Sequence, residues 1–316
     1  MSPASYLTAP PRVAAAIIAA PSRGRFRGSY YDPAMDAEAR RRQYEVWEAR
    51  APVWEQRRER IWRDSRSVGE WLVAAVNPQP GDVILELAAG TGDTGFLAAE
   101  RVGPSGRVIS TDLSSGMLAA AKRRAAKLGV ANVDFRTLDA ERMDLEDASV
   151  DGALCRWGYM LLPDPEAAFR ETRRVLRPTG RLAFSVWGAP EENRWETLLD
   201  DILVSEGVVD PPDYDAVGNM FSFAKPKRVE ELLAATGFSD PMFEHVPVLW
   251  RYREVDDYWE MEAELPGTLS ESIRRLDPER LAAVRRLVAE ALEPYRTDDG
   301  YAIPGRALNV AATVAP

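Results

Sequence analysis

Apolar runs alternate with amphipathic segments through the middle of the chain. Runs rich in Val, Ile and Leu begin near residues 83, 107, 133, 150 and 181, and each is four to seven residues long. Most of the segments between them carry apolar residues at the spacing of one helix face. Strands that alternate with helices in this way build βαβ units, so the pattern predicts an α/β fold with a parallel sheet.

Beyond Trp187 the simple alternation ends. We expect helices over residues 191–204 and 226–235, a sixth strand over 242–251, helices over 257–265 and 277–292, and a last strand over 302–313. The helices before the last strand cannot lie in the sheet, so they predict a cap near the site. Candidate lining residues from this part of the chain are Tyr214, Met220, Phe221, Tyr258, Trp259 and Met261.

The N-terminal third is helical and charged from Asp36 onwards. Tyr44, Trp47 and Trp54 share one helix face, and Pro52 predicts a kink or break before a second helix over residues 65–76. Either these aromatic residues pack the helix on the sheet, or Tyr30, Tyr31, Trp47 or Trp54 closes over a bound ligand. The predicted division is an N-terminal helical region over 32–78, a core over 79–254, a helical cap over 255–300 and a final core strand over 301–316.

Residues 1–31 contain four arginines and no acidic residue. Their apolar run, residues 13–20, is far too short to span a membrane. We interpret this segment as a tail or lid of a cytoplasmic protein. The alternative, which the arginine-rich composition also fits, is an organellar transit peptide.

The overall charge narrows the range of partners. The 316 residues carry a formal net charge of −10, which repels a nucleic-acid backbone, so we expect no nucleic-acid partner. One cysteine and one histidine exclude a disulfide framework and a Cys/His metal site, and we predict no metal. These counts do not bear on a divalent ion held by carboxylates alone. The sequence leaves the oligomeric state open, with a homodimer as one outcome.

A turn rich in small residues follows the first predicted strand. Gly90-Thr91-Gly92 lies between that strand and an Ala-rich helix, where backbone N–H groups and a helix dipole can face a nucleotide-like ligand. Residues 90–95 also match the G-x-G-x-x-G pattern of dinucleotide-binding proteins. Glu86 favours a different ligand, because a carboxylate beside a pyrophosphate would be repelled whereas a cationic ligand would be attracted.

Three stretches together resemble a known family. The turn E-x-A-A-G-T-G with Asp112 after the second strand, the segment C-R-W-G-Y-M-L-L-P-D-P, and V-L-R-P-T-G-R-L-A-F-S-V-W with N-R-W at residues 193–195 are similar to class I S-adenosylmethionine (SAM) methyltransferases. The similarity is to the branch that resembles the ubiquinone/menaquinone-biosynthesis C-methyltransferases, which includes many enzymes of secondary metabolism. It implies a Rossmann-like, seven-stranded, mostly parallel sheet with helices on both faces and an antiparallel last strand.

The resemblance also implies roles for individual residues. Glu86 would belong to the pocket around the amino-acid moiety of SAM, Asp112 would hold the ribose hydroxyls, and Asp139 would bind the adenine amino group. Ala88 stands where the family usually has glycine. The complete set of predicted cofactor-binding residues is Glu86, Ala88, Gly90, Thr91, Gly92, Asp112, Leu113, Met117, Asp139, Ala140, Arg156 and Trp157.

The sequence therefore predicts a SAM-dependent methyltransferase that acts on a small, hydrophobic or aromatic metabolite, with C, O or N as the methylated atom. His245 is a candidate base because the ordinary pKa of histidine lies near neutrality, and Glu141 and Tyr31 are alternatives. Two other functions remain open: an NAD-dependent oxidoreductase, and a SAM-fold protein without catalytic activity.

Overall fold

The computed structural model describes the backbone of residues 33–315 and the side chains of residue 38 and residues 40–315. One sheet organises the fold. Its strand order is β3-β2-β1-β4-β5-β8-β6. The strands are β1 (Val83–Leu87), β2 (Arg107–Asp112), β3 (Val133–Thr137), β4 (Val150–Arg156), β5 (Leu176–Trp187), β6 (Phe238–Tyr252), β7 (Arg296–Thr297) and β8 (Gly300–Val314). Strands β1 to β5 are parallel, and β8 lies antiparallel between β5 and β6.

This topology confirms the predicted Rossmann-like sheet. The seven principal strands have the expected directions, and the two-residue β7 is an addition that pairs with the start of β8. The central strands are buried because helices cover both faces, which is why their sequences are continuously apolar rather than alternating.

Nine α-helices surround the sheet in the part of the chain that the structure describes. They are α1 (Pro33–Val76), α2 (Asp93–Val102), α3 (Ser115–Leu128), α4 (Pro165–Val175), α5 (Arg194–Ser205), α6 (Pro226–Ala235), α7 (Val255–Glu262), α8 (Thr268–Arg274) and α9 (Pro278–Leu292). The helix starts follow ordinary capping chemistry. Ser114, Asp164 and Asp277 each accept a hydrogen bond from a backbone N–H in the first turn.

The prediction of two N-terminal helices is wrong. Helix α1 is continuous over 44 residues and includes Pro52. Burial against the sheet explains why the proline does not end it, since Ala51, Ile61, Val68 and Leu72 are all buried on the same helix. The packing free energy offsets the hydrogen bond that proline removes. As a result, α1 extends from the start of β1 to the turns at the opposite end of the sheet.

Candidate active site

The turn between β1 and α2 depends on glycine for two different reasons. Gly90 has φ of 55° and faces a cavity. Gly92 and Gly95 are required by the chain itself, because a Cβ would lie 2.7 Å from the ring of Phe96 at the first and 2.1 Å from Glu86 Oε2 at the second. The G-x-G-x-x-G match is therefore explained largely by packing within the protein.

The buried carboxylate of Glu86 stabilises this turn by hydrogen bonds. Its carboxylate accepts hydrogen bonds from Gly95 N (2.6 Å) and Ser110 Oγ (2.7 Å), and the residue is only 2% exposed. Burial raises the pKa of Glu86 to about 7, against the lowering effect of these hydrogen bonds and of Arg156. Glu86 does not line the cavity, so its observed position is that of a residue that holds the glycine turn in place. Thr91 is likewise buried, with its hydroxyl on Asp93.

A cavity of about 310 Å³ opens at the carboxyl ends of the parallel strands. This is where open α/β sheets bind their ligands, and the volume is at the lower end of the range for ligand sites, about 300–1,000 Å³. Nine of the twelve predicted cofactor residues line it: Ala88, Gly90, Asp112, Leu113, Met117, Asp139, Ala140, Arg156 and Trp157. The other three predicted residues, Glu86, Thr91 and Gly92, do not line it.

Asp112 at the end of β2 borders the cavity. Its Oδ2 accepts from Gly90 N (2.8 Å) and its Oδ1 from Ser114 N (2.9 Å). Burial raises the pKa of Asp112 to about 6, with a smaller contribution from the charge of Glu48. A carboxylate has about four lone-pair sites, so two sites remain for hydroxyl donors from a ligand.

Asp139 borders the same end of the cavity from the loop after β3. It accepts a hydrogen bond from Glu141 N (2.9 Å), and Arg40 of α1 forms ion pairs with both Asp139 and Glu141. Glu141 also accepts from Asp164 N, and it does not line the cavity. The carboxylate that was a candidate base is therefore occupied in linking α1 to the loop before α4.

Arg156 and Trp157 form the middle of the cavity wall. Arg156 donates to Thr94 Oγ1 and Ser65 Oγ (both 3.1 Å), and its guanidinium lies 5.0 Å from the ring of Trp157. Trp157 has φ of 62°, an unusual conformation for a bulky residue, and its ring stacks on Trp187 at 4.2 Å. Strained backbone of this kind is concentrated at functional sites.

The opposite end of the cavity is built from residues that the sequence did not single out as lining. Trp187 at the end of β5, Trp195 of α5 and Trp250 of β6 form one aromatic wall, with ring centroids 4.9–6.3 Å apart. Glu196 and Glu262 also line this end. The N-R-W motif at residues 193–195, which includes Trp195, is the one feature of the sequence that indicates this wall. Helix α1 adds Trp47, Arg50 and Trp54 to the lining of the cavity.

Several sequence candidates lie elsewhere. His245 is exposed on β6 and alternates with buried Val246 and Val248, so it is on the strand face opposite Trp250. Tyr30 and Tyr31 fall outside the described residues. Met220 and Met261 line the cavity as predicted, whereas Tyr214, Phe221, Tyr258 and Trp259 do not. No group of three or more His, Cys, Asp and Glu side chains among the described residues is placed to hold a metal ion.

Comparisons with known proteins agree with this geometry. A family profile described as "Methyltransferase domain" matches residues 78–205. The ubiquinone/menaquinone biosynthesis C-methyltransferase UbiE of Bradyrhizobium diazoefficiens is 31% identical over 194 residues, which cover 57% of this chain and 74% of that protein. Nocamycin O-methyltransferase of Saccharothrix syringae is 30% identical, over 55% of this chain and 65% of that enzyme. The YcgJ protein of Bacillus subtilis has the same fold, with a TM-score of 0.53 at 18% identity over 79% of this chain and 99% of its own.

The chain belongs to the class I SAM-dependent methyltransferases. This confirms the family resemblance and SAM as the cofactor of the fold, and it does not favour the NAD-dependent alternative. The match with several other curated relatives spans less than half of their length, for example 27% of an arsenite methyltransferase of Halobacterium salinarum. Within the described residues, no helix is long and apolar enough to cross a membrane.

Proposed function

We propose that this protein transfers the methyl group of SAM to a small, apolar or aromatic molecule. The observation that carries the proposal is the single cavity that runs from Asp112 and Asp139 to the tryptophan wall of Trp187, Trp195 and Trp250. One end offers carboxylates for a nucleoside, and the other offers aromatic surface for an acceptor. The names of the relatives given above indicate different methyl acceptors. The proposed class of acceptor therefore rests on the residues that line this cavity.

The residues at the first end suit the cofactor. Asp112 has two lone-pair sites for ribose hydroxyls, and the Asp139 carboxylate is a hydrogen-bond acceptor for the adenine amino group. Leu113, Met117 and Leu138 provide apolar surface for a flat ring. Bound SAM supplies an electrophilic methyl group on a sulfonium. The protein then mainly has to orient the acceptor and keep water away, a task that suits a largely buried, tryptophan-lined cavity.

The first test is calorimetric titration of the protein with S-adenosylhomocysteine (SAH), with NAD as the control ligand. We expect saturable binding of SAH alone, with an affinity on the order of micromolar (about −8 kcal/mol). Binding of NAD in its place would overturn the proposal. A protein that binds SAH but methylates none of a panel of aromatic acceptors would match the non-catalytic alternative.

Three expectations about partners belong to the same proposal. The acceptor is a small molecule rather than a nucleic acid, because the net charge of −10 disfavours a phosphate backbone. We expect the protein in the cytoplasm. Size-exclusion chromatography with light scattering would distinguish a monomer from a homodimer.

A further inference from the structure

The tryptophan end of the cavity contains two carboxylates. Glu196 enters from α5 and Glu262 from α7, and both are partly exposed to the cavity. Arg50 of α1 lines the same end, but its Nε donates to Pro266 O (2.8 Å) and its side chain stacks over Trp47. The opposing charge of Arg50 therefore acts on Glu196 from beyond ion-pair distance.

The two carboxylates have different surroundings. Glu262 accepts a hydrogen bond from Tyr252 Oη (2.8 Å). Glu196 receives no hydrogen bond from any side chain or backbone group among the described residues, and Asp200 adds a like charge behind it. Charges removed from water are normally paired or hydrogen-bonded. Glu196 thus faces the cavity, and no donor group in the described part of the protein neutralises its charge by a hydrogen bond.

The aromatic wall beside Glu196 gives a second, independent indication of a ligand. Trp250 lines the cavity at 5% exposure, and its Nε1 has no hydrogen-bond partner. Tryptophan rings attract cations that approach within about 6 Å of the ring centroid. A carboxylate without a partner and tryptophan rings at the same wall form the usual surroundings of a bound organic cation.

We propose that this end of the cavity binds the protonated amine of the methyl acceptor, with Glu196 as its counter-charge and Trp187, Trp195 and Trp250 around its apolar body. The inference rests on the proposed function and adds the chemical class of the acceptor, an aromatic or apolar amine. The nitrogen is then also the methylated atom. A proton taken by the Glu196 carboxylate frees the nitrogen lone pair for the new N–C bond, while the C–S bond of the sulfonium breaks and its electron pair stays on sulfur. The proton leaves Glu196 for water.

Two probes of equal size test the proposal. The protein saturated with SAH is titrated calorimetrically with 2-phenylethylamine and with 2-phenylethanol, which differ in the charged group. We expect the amine to bind at least about tenfold more tightly, as expected for a cation placed against a carboxylate and aromatic rings. Equal affinity, tighter binding of the alcohol, or binding of neither probe would overturn the inference. This comparison uses the unaltered protein, so it does not depend on the folding of a variant.

Variants then assign the preference to one residue. Glu196→Gln should reduce the preference for the amine to about threefold or less and leave the affinity for SAH unchanged. Glu260→Gln is the matched control, because it removes the same charge from an exposed position of α7 outside the cavity. A preference that survives Glu196→Gln would contradict the assignment. Failure of SAH to bind the unaltered protein would overturn the proposed function, whereas SAH binding without amine preference would overturn this inference alone.

Discussion

The two ends of the cavity are assembled in different ways. At the nucleoside end, Asp112 is the last residue of β2 and Asp139 lies two residues after β3. Their carboxylates are fixed by backbone N–H groups two residues further along the chain or in the neighbouring turn. At the tryptophan end, Glu196, Glu262 and Trp250 come from α5, α7 and β6, which are distant in sequence. The nucleoside end therefore forms together with the sheet, whereas the tryptophan end depends on the packing of helices against the sheet. Substitutions should therefore affect stability most at the nucleoside end and ligand choice most at the tryptophan end.

The largest effect is expected from Gly95→Ala. The new Cβ would lie 2.1 Å from Glu86 Oε2, so the carboxylate has to move and loses its hydrogen bonds to Gly95 N and Ser110 Oγ. We expect the free energy of unfolding to fall by about 3 kcal/mol, measured by urea denaturation. Gly129→Ala is the control, since it has open space and only a positive φ, and it should cost about 1 kcal/mol. Equal losses in the two variants would contradict this account of the turn.

Asp112→Ala should weaken SAH binding by roughly 1.5–3 kcal/mol, the range for a hydrogen bond to a charged group. Calorimetric titration measures it. Asp144→Ala removes a carboxylate from an exposed loop position and should leave the affinity unchanged. If Asp112→Ala binds SAH as tightly as the unaltered protein does, the cofactor does not use the end of β2.

Glu196→Gln should make the protein more stable while it weakens amine binding. Burial and the charge of Asp200 raise the pKa of Glu196 from 4.5 to about 7. A carboxyl with a raised pKa contributes stability that is fully present below pH 4.5 and is lost as the pH rises through about 7. At pH 8 we expect the variant to be more stable by about 1–2 kcal/mol, less than full desolvation would give, because the side chain is partly exposed to the cavity.

Urea denaturation at pH 5 and at pH 8 checks this expectation. The difference between Glu196→Gln and the unaltered protein should be small at pH 5 and should grow towards pH 8. Glu260→Gln again serves as the control and should show no such growth. A stability difference that is the same at both pH values would mean that the Glu196 carboxylate is not held in a desolvated site.

Ala88→Gly should have the smallest effect. Ala88 adopts φ of 49°, a conformation that glycine reaches without strain, which accounts for the family preference for glycine there. The free energy gained by relieving this backbone strain exceeds the entropic cost of glycine only slightly, so we expect a stabilisation of about 0.5 kcal/mol and no change in SAH affinity. Thermal unfolding and the same titration measure both quantities. A clear loss of stability would show that the Ala88 methyl, which lies close to Gly158, is needed for packing.

The sequence predicts site residues well at the carboxyl ends of the strands. It predicts them poorly where segments that are distant in sequence pack together. Asp112, Asp139 and Arg156 could be located because the carboxyl ends of parallel strands share one edge. Glu86 was placed near the site, but its hydrogen bonds within the turn depend on Gly95 and could not be read from the pattern. The residue type makes His245 a candidate base, but the strand face on which it lies depends on register, and a shift of one residue reverses that face. Arg50, Glu196 and Glu262 come from α1, α5 and α7 and line the same end of the cavity, a proximity that depends on tertiary packing and on the continuation of α1 through Pro52.

The distribution of tryptophan has a spectroscopic consequence. Six of the nine tryptophans line the cavity, namely Trp47, Trp54, Trp157, Trp187, Trp195 and Trp250. The intrinsic fluorescence of the protein therefore originates mostly from the place where ligands bind, and the stacked pair Trp157 and Trp187 should give a coupled signal in near-ultraviolet circular dichroism. Occupation of the cavity can be followed optically in the unmodified chain, without a label and without knowledge of the acceptor.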